Sequence, residues 1–184
     1  MFAYCENNPV NMIDVYGQNP IGILTLTDYA AIHAKIQYIC AKNYGWAMEV
    51  YVKGSRGRGY LDLFDKGACS YYEVKSLRAS GRPSTARQMR KYDAALIADT
   101  RLNRARFSDS VIGSRLKRGI KEPQGYFKYG IYDVKYWTKS RGLIVYDVKV
   151  NWERATTVAT VAMVAALFAI YPAGAPAYVY ALIK

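Results

Sequence analysis

The first half of the chain has a pattern of apolar and polar positions that predicts one helix followed by three strands. After Thr27 or Asp28, either of which can cap a helix, apolar residues recur near the helical period until Gly45, a residue type that often ends helices. Three segments rich in β-branched and aromatic residues then favour strands: 46–52, 60–64 and 70–77. Turn composition separates them, at the basic, glycine-rich residues 54–59 and at 65–67.

The second half predicts a further helix and two late strands. Residues 78–83 are predicted as a loop, and a helix capped by Ser84 follows to about Asp99. Residues 100–121 are polar and basic without a clear period, which favours irregular structure. The late strands are predicted at 125–135 and 143–151. The order α-β-β-β-α-β, with one further strand, predicts an α/β domain in which helices flank a mixed sheet.

The chain ends in a hydrophobic tail. Residues 155–183 carry no charge, and 155–170 form an apolar run that Pro172 and Pro176 follow. A helix over 155–170 reaches about 24 Å at 1.5 Å per residue, which is short of a bilayer core of about 30 Å. Two interpretations stay open: a helix packed on the domain, and a membrane-associated segment over residues 155–183.

Composition narrows the classes of protein that are compatible with this pattern. The 184 residues, 52% of them hydrophobic, suit one folded domain with appendages and exclude a disordered chain. Three cysteines exclude a disulfide-dense scaffold, and Cys5, Cys40 and Cys69 are too scattered for a zinc site; the last two are predicted to be buried. The single histidine, His33, is interpreted as a packed or exposed helix residue without a catalytic role.

The positive charge is concentrated in the middle of the chain. The net charge is +12, and residues 53–141 hold 21 Lys and Arg against 8 Asp and Glu, so this window carries +13 and the rest −1. Such a region suits a polyanionic partner: nucleic acid, an anionic membrane surface or an acidic protein. The alternative is a solvated basic face without a dedicated partner.

Acidic and basic side chains are predicted to converge on the second and third strands. A period of two places Asp62 on one face with Tyr60 and Phe64, and it places Glu73 and Lys75 together with Tyr71. A hairpin turn over 65–70 brings Asp62 beside Glu73 and Lys75. The alternative is a surface hairpin with an ordinary Glu–Lys pair. Asp65 competes with Asp62, but it falls in the turn and on the other side of the strand.

Two carboxylates at one point repel each other unless a cation lies between them. Oxygen ligands suit Mg²⁺ (or Mn²⁺), which also takes phosphate oxygens. The predicted ligands are Asp62, Glu73 and the backbone carbonyl of Val74. Lys75 would orient or deprotonate a water molecule, or stabilise developing charge, as in a site that cleaves phosphodiesters.

These residues resemble the PD-(D/E)xK nuclease superfamily. Its core is α-β-β-β-α-β, with an Asp on the second strand and (D/E)-x-K on the third, here Asp62 and Glu73-Val74-Lys75. Many RecB-like members add Q-x-x-x-Y on the next helix, here Gln88 and Tyr92. The resemblance implies that these two place the metal-bound water and the phosphate, and that Glu49 joins the metal ligands. Leu61 replaces the usual proline.

The N-terminus carries a second resemblance. Residues 2–17 read FAYCENNPVNMIDVYG, which is similar to the closing segment of RHS/YD-repeat proteins, Y-x-Y-x-x-N-N-P-V-N-x-x-D-P-x-G. In that family a variable toxin domain follows. Val15 stands where the usual proline would follow Asp14, which puts release by self-cleavage in doubt. The implied domains are 1–20, the end of an RHS core and linker; 21–151, the nuclease; and 152–184, the tail.

Together these resemblances predict a Mg²⁺-dependent (endo)deoxyribonuclease toxin. It would be secreted or delivered from the cell surface and act on DNA in the cytoplasm of a competitor cell, with RNA left open as substrate. An acidic immunity protein would cover its basic face. The rival hypotheses are a membrane-acting toxin that uses the tail and a nucleic-acid-binding module without catalysis. The arginines that flank the predicted site and would grip phosphates are Arg56, Arg58, Arg78, Arg82, Arg87 and Arg90.

Overall fold

A computed structural model describes residues 24–97 and 113–170 of the chain. The predicted RHS-like segment, most of the irregular region and the tail beyond residue 170 lie outside them. The first helix, α1, spans Leu26–Tyr44. Thr25 caps it, because its hydroxyl accepts from the Asp28 N–H while the Asp28 carboxylate accepts from the Thr25 N–H. The prediction of Thr27 or Asp28 as the cap was therefore wrong by two or three residues. Gly45, with φ of 70°, ends the helix as predicted.

Three antiparallel strands follow α1. They are β1, Ala47–Gly54; β2, Gly57–Asp65; and β3, Ser70–Ser76. The predicted turn over 54–59 was too long, because only Ser55 and Arg56 connect β1 to β2 and Gly54 already pairs with Gly57. The predicted turn after β2 is present, over residues 66–69.

Two helices and a short strand come next. They are α2, Leu77–Ser80; α3, Pro83–Asp93; and β4, Ala95–Leu96. The predicted loop over 78–83 was wrong in part, since α2 occupies its first three residues and α3 begins at Pro83. The predicted cap was also wrong: Arg82 is the N-cap and Pro83 opens α3, a position where the missing N–H costs nothing.

The predicted continuation of α3 to Asp99 was wrong, because pairing with the sheet overrides helical propensity after Asp93. Ala95 pairs with Gly54 at the end of β1. A side chain at Gly54 would lie 2.6 Å from the Ala95 Cα, so only glycine permits this approach.

The remaining strands complete an eight-stranded mixed sheet among the described residues. They are β5, Lys117–Arg118; β6, Gly125–Tyr129; β7, Tyr132–Ser140; and β8, Leu143–Val150. The order is β4-β1-β2-β3-β8-β7-β6, with β5 paired to β3. Strand β3 runs parallel to β8 and β5, and the other pairs are antiparallel. The α/β class and the mixed sheet flanked by helices are thus confirmed. The single strand predicted at 125–135 is instead a hairpin, turning at Gly130 with φ of 54°.

One hydrophobic cluster lies on each side of the sheet. On the α1 side, Ile32 and Ile36 pack on Leu63, Tyr72 and Val74. The cluster on the α3 side holds Met89 and Tyr92 of α3 with strand residues Val50, Val52, Leu61, Phe64 and Tyr71. Phe64 therefore faces α3, and the predicted shared face for Tyr60, Asp62 and Phe64 was wrong for Phe64. Cys40 is buried as predicted, whereas Cys69 is only half-buried.

The last described helix, α4, spans Trp152–Ile170. Ala155 is buried in its first turn. Val158 and Val161 are 58% and 63% exposed, so the middle of α4 does not pack on the described domain. Among the helices of residues 24–97 and 113–170, none combines the length and apolarity that crossing a membrane requires.

An ion pair joins α3 to β5, and its contribution to stability should depend on pH. The Asp93 carboxylate accepts from Arg118 at 2.7 Å and 3.0 Å and from the Tyr71 hydroxyl at 2.7 Å. Burial raises the pKa of Asp93, but these donors outweigh it and hold that pKa below its ordinary value. We expect Asp93→Asn to cost about 1 kcal/mol of unfolding free energy at neutral pH.

The sign of this pH dependence follows from the lowered pKa of Asp93. The carboxylate stabilises the fold above the pKa that it has in the unfolded chain, and this stabilisation is lost as the pH falls through the lower folded value. Urea denaturation should therefore show the full Asp93→Asn difference at pH 7 and a progressively smaller difference as the pH falls below the ordinary pKa of an aspartate. A cost that stays constant with pH would contradict this assignment.

Candidate active site

The candidate active site lies where strands β2 and β3 separate. Their pairing ends at Leu63 and Tyr72, and from Glu73 onward β3 pairs with β8 instead. Asp62 fills the resulting gap, because its Oδ2 atom accepts from the Val74 N–H at 2.7 Å. A side chain thus replaces the backbone acceptor that an adjacent strand would have supplied, and this fixes the position of Asp62.

Lys75 joins the two carboxylates of this gap. Its Nζ atom lies 2.9 Å from Glu73 Oε2 and 3.7 Å from Asp62 Oδ2. The side chain of Glu73 is fully buried, and that of Lys75 is 16% exposed. The structure therefore brings together the three residues that the sequence placed on adjacent strands. It shows an enclosed cluster in place of an ordinary surface Glu–Lys pair.

The charges of the cluster shift one another's pKa values. Burial raises the pKa of Asp62, but Lys75, His33 and the Val74 N–H outweigh it and hold that pKa well below its usual range. Burial lowers the pKa of Lys75, but Glu73 and Asp62 outweigh it and raise that pKa. Asp62 and Lys75 are therefore a charged pair at neutral pH, although both are largely enclosed.

Glu73 is the member of the cluster whose negative charge is least stabilised. Burial, followed by the negative charge of Asp62, raises the pKa of Glu73, and Lys75 offsets only part of this effect. The Oε1 atom of Glu73 is buried and has no well-formed hydrogen bond to any residue that the structure describes, although the Asp62 backbone lies near enough to lower the pKa of Glu73 in part. An unsatisfied carboxylate oxygen of this kind costs free energy unless a cation or a donor reaches it.

Helix α1 adds a third set of polar groups above the gap. His33 Nε2 lies 3.4 Å from Asp62 Oδ1, and Gln37, one turn later, donates to Glu49 Oε1 at 2.7 Å. Asp62 thus presents one oxygen to β3 and the other to α1. One ligand atom each of His33, Glu49 and Asp62 lies within 4.8 Å of the others.

The backbone of Glu49 is held in an unfavourable conformation. Its φ is 51°, in the left-handed region that non-glycine residues rarely adopt. Glu49 sits opposite Asp62, between the pairs Met48–Leu63 and Val50–Leu61. Such strain costs about 1–3 kcal/mol and is concentrated at functional sites. Burial raises the pKa of the Glu49 carboxyl, while the hydrogen bond from Gln37 lowers it in part.

The group formed by His33, Glu49 and Asp62 could hold a divalent cation, because one ligand atom of each residue lies within 4.8 Å of the others. The ligand atoms would have to move closer together to reach the distances of about 2.1 Å that Mg²⁺ requires. Carboxylates suit Mg²⁺ and Mn²⁺, and an imidazole is a better ligand for Mn²⁺ than for Mg²⁺. Glu73 lies outside this group, so Glu73 and the Val74 carbonyl remain predicted ligands.

Gln88 and Tyr92 lie on α3 and meet each other as well as β2. Gln88 Nε2 donates to the Tyr92 hydroxyl at 3.1 Å, and that hydroxyl donates to the Tyr60 carbonyl at 2.8 Å. Burial, followed by the charge of Glu73, raises the pKa of Tyr92, which keeps this hydroxyl protonated. The pair therefore holds the backbone of β2 at Tyr60, two residues before Asp62, from the α3 side of the sheet.

None of the six predicted arginines, all of which lie in the described part of the chain, pairs with the carboxylates of the site. Arg56 and Arg58 belong to the β1–β2 hairpin, Arg78 to α2, and the others to α3 or its cap. Within the described ranges, none of the six forms an ion pair with a carboxylate. Arg78 and Arg82 line a cavity of about 110 Å³ beside Ser76, the residue after Lys75.

His33 and Gln37 are site residues that sequence analysis missed. They are spaced by four on α1, next to the buried Ile32 and Ile36, so they share the side of α1 that faces the sheet. That spacing was the available signal. Asp65, the competitor of Asp62, instead accepts from the Ala68 N–H in the turn and pairs with Lys121 at 3.1 Å.

Comparison of the chain with protein-family models, with curated proteins and with solved structures found no match.

Proposed function

We propose that the protein is a metal-dependent nuclease that hydrolyses phosphodiester bonds. The observation that carries this proposal is the enclosed cluster of Asp62, Glu73 and Lys75. Asp62 also belongs to the group of possible metal ligands that it forms with His33 and Glu49. A cluster with an unsatisfied buried carboxylate oxygen and a strained acidic residue at its rim is costly for a purely structural role.

The side chains have distinct tasks in this proposal. Asp62, Glu49 and His33 hold Mg²⁺ or Mn²⁺, with Glu73 behind them as a further carboxylate. When bound, the cation supplies Lewis acidity toward a phosphate oxygen and favours a deprotonated water. Lys75 orients the attacking water and offsets the charge that develops on the phosphate. Glu49 is the exposed member of the donor group, so the substrate approaches from its side.

The charge of the surrounding surface supports a nucleic acid as the substrate. The sequence window of residues 53–141 carries +13. Five of the six arginines named above are exposed, Arg82 is half-buried, and none of the six has a carboxylate partner in the described structure. Each phosphate that such side chains neutralise releases counterions and adds to affinity. DNA of a competitor cell is the proposed target, with RNA tested alongside it.

The likeness to PD-(D/E)xK nucleases and to RHS-type toxins extends the proposal to a biological role. The order of α1, β1–β3 and α3, and the positions of Asp62, Glu73 and Lys75 on β2 and β3, agree with that nuclease core. In this role the protein is a delivered effector, and an acidic immunity protein covers its basic face in the producing cell.

Incubation of the purified protein with plasmid DNA and with RNA, in Mg²⁺, in Mn²⁺ and in EDTA, tests this proposal. We expect cutting of DNA with either metal and none with EDTA. Binding without cutting in both metals, by protein shown to be folded, would instead indicate a non-catalytic nucleic-acid-binding module.

Exposure of the middle of α4 favours a second candidate function, a membrane-acting toxin. Val158 and Val161 are apolar and face solvent on the described domain. Leakage of anionic liposomes by a variant with both Glu73→Ala and Lys75→Ala would favour this function. Loss of toxicity in the same variant, with liposomes left intact, would favour the nuclease.

A further inference from the structure

The exposed face of the β1–β2 hairpin carries an ordered series of cross-strand pairs that leads to the candidate metal group. Lys53 pairs with Arg58, and Tyr51 pairs with Tyr60. The next position on this side is occupied by Glu49, opposite Asp62. Cations, aromatic rings and carboxylates thus follow one another over about 13 Å, at 3.3 Å per residue.

The side chains on the other face of the same hairpin are buried against α3. The series of cross-strand pairs therefore faces away from α3. Val50, Val52 and Leu61 belong to the cluster around α3. A side chain at Gly59 would lie 2.8 Å from the Tyr92 hydroxyl, so Gly59 faces α3 as well. The alternating residues Tyr51, Lys53, Arg58 and Tyr60 therefore lie on the side of the sheet where α1 holds His33 and Gln37.

The cationic pair is unfavourable for the hairpin on its own. Like charges directly opposite each other on neighbouring strands destabilise a sheet. Neither Lys53 nor Arg58 forms an ion pair with a carboxylate in the described part of the chain. A ligand with closely spaced negative charges, such as a phosphodiester backbone, would remove this repulsion.

The aromatic pair provides a surface for stacking. The rings of Tyr51 and Tyr60 meet edge to face with centroids 5.4 Å apart, and Tyr60 is 41% exposed. The Tyr60 carbonyl is anchored by the Tyr92 hydroxyl, so the backbone that carries the ring is fixed. An exposed ring of this kind stacks on an unpaired base, whereas the bases of a duplex already stack on one another.

We propose that this hairpin face binds single-stranded nucleic acid, with a base stacked on Tyr60 and phosphates held by Lys53 and Arg58, and leads the strand to Glu49 and Asp62. The proposal rests on the nuclease function and adds to it a preference for unpaired strands over duplex. At about 3.4 Å per stacked nucleotide, the series spans about four nucleotides.

Fluorescence anisotropy in EDTA, with a dye-labelled oligonucleotide of about 12 nucleotides and its duplex, tests the proposal without catalysis. We expect tighter binding of the single strand, and a loss of about tenfold for Tyr60→Ala that Tyr60→Trp does not show. The double variant Lys53→Ser and Arg58→Ser should reduce the slope of log affinity against log salt by about 1.4.

The matched controls are Tyr38→Ala, a residue 57% exposed on α1, and Lys66→Ser in the turn after β2, neither of which should change binding. Single-strand binding unchanged by Tyr60→Ala, or a preference of the unmodified protein for duplex, would overturn the proposal. If the hairpin variants bind normally while the unmodified protein cuts with Mn²⁺, only this inference fails. If they bind weakly but the unmodified protein never cuts, the hairpin face binds single strands as proposed, and the nuclease function fails together with the role of this face in leading the strand to a reaction site.

Discussion

Replacement of Asp62 by asparagine should reduce metal-dependent cleavage by at least about 100-fold, because even residues behind the metal ligands typically contribute 10- to 100-fold. Asp62 contacts the Val74 N–H of β3, the Lys75 ammonium and His33 of α1. Asparagine keeps an oxygen that can accept from the Val74 N–H, so the fold should persist. Initial cleavage rates in Mn²⁺, together with thermal unfolding of the variant, give the measurement.

Asp65→Asn is the matched control for this variant. Asp65 lies on the same strand and is also buried. Its contacts are different: it accepts from the Ala68 N–H in the turn after β2, and it pairs with Lys121, which follows β5 in the chain. We expect this variant to cut at a rate within a few-fold of the unmodified protein. Loss of cleavage in Asp65→Asn with retention in Asp62→Asn would reverse the assignment of the two aspartates.

Replacement of Lys75 by methionine should destabilise the protein strongly in the absence of metal. The change removes the cation nearest to Glu73, which is fully buried, and it also exposes Glu73 to the uncompensated charge of Asp62. Breaking a buried ion pair from one side costs about 3 kcal/mol or more. Saturating Mn²⁺ should restore at least about 1 kcal/mol, because the bound ion replaces part of the lost positive charge.

Urea denaturation of Lys75→Met in EDTA and in Mn²⁺ measures both effects. Lys121→Met serves as the control, since Lys121 pairs with Asp65 at 3.1 Å but is 49% exposed. Its loss should cost no more than about 1 kcal/mol, and Mn²⁺ should not restore it. Equal costs for the two lysines, or no effect of Mn²⁺ on Lys75→Met, would contradict the described electrostatics.

The sequence was sufficient for the parts of the site that depend on local patterns. Strands β2 and β3 are neighbours joined by a short turn, so their register follows from the turn and brings Asp62, Glu73 and Lys75 together. The helix period likewise places Gln88 and Tyr92 on one side of α3, where their hydroxyl–amide contact is observed.

The parts that depend on contacts distant in sequence could not be predicted. Leu61 packs toward α3 and Leu63 toward α1, although a regular strand would place them on one face. The irregularity coincides with the unusual backbone of Glu49 on the partner strand. A period of two therefore misplaced Phe64.

The contact of His33 with Asp62 could not be predicted either. Its approach to Asp62 depends on how α1 lies across the sheet, which no local pattern encodes. Strand β4 replaced the end of the predicted helix for a similar reason, because Gly54 of β1 offers its backbone to Ala95.

Anomalous diffraction from crystals soaked in Mn²⁺ tests the central claim most directly, because it locates the ion without reference to activity. We expect an anomalous peak within bonding distance of Asp62, between the side chains of His33 and Glu49, and no such peak in Asp62→Asn crystals. Crystals that bind Mn²⁺ only elsewhere, with His33, Glu49 and Asp62 arranged as described and no peak among them, would contradict it.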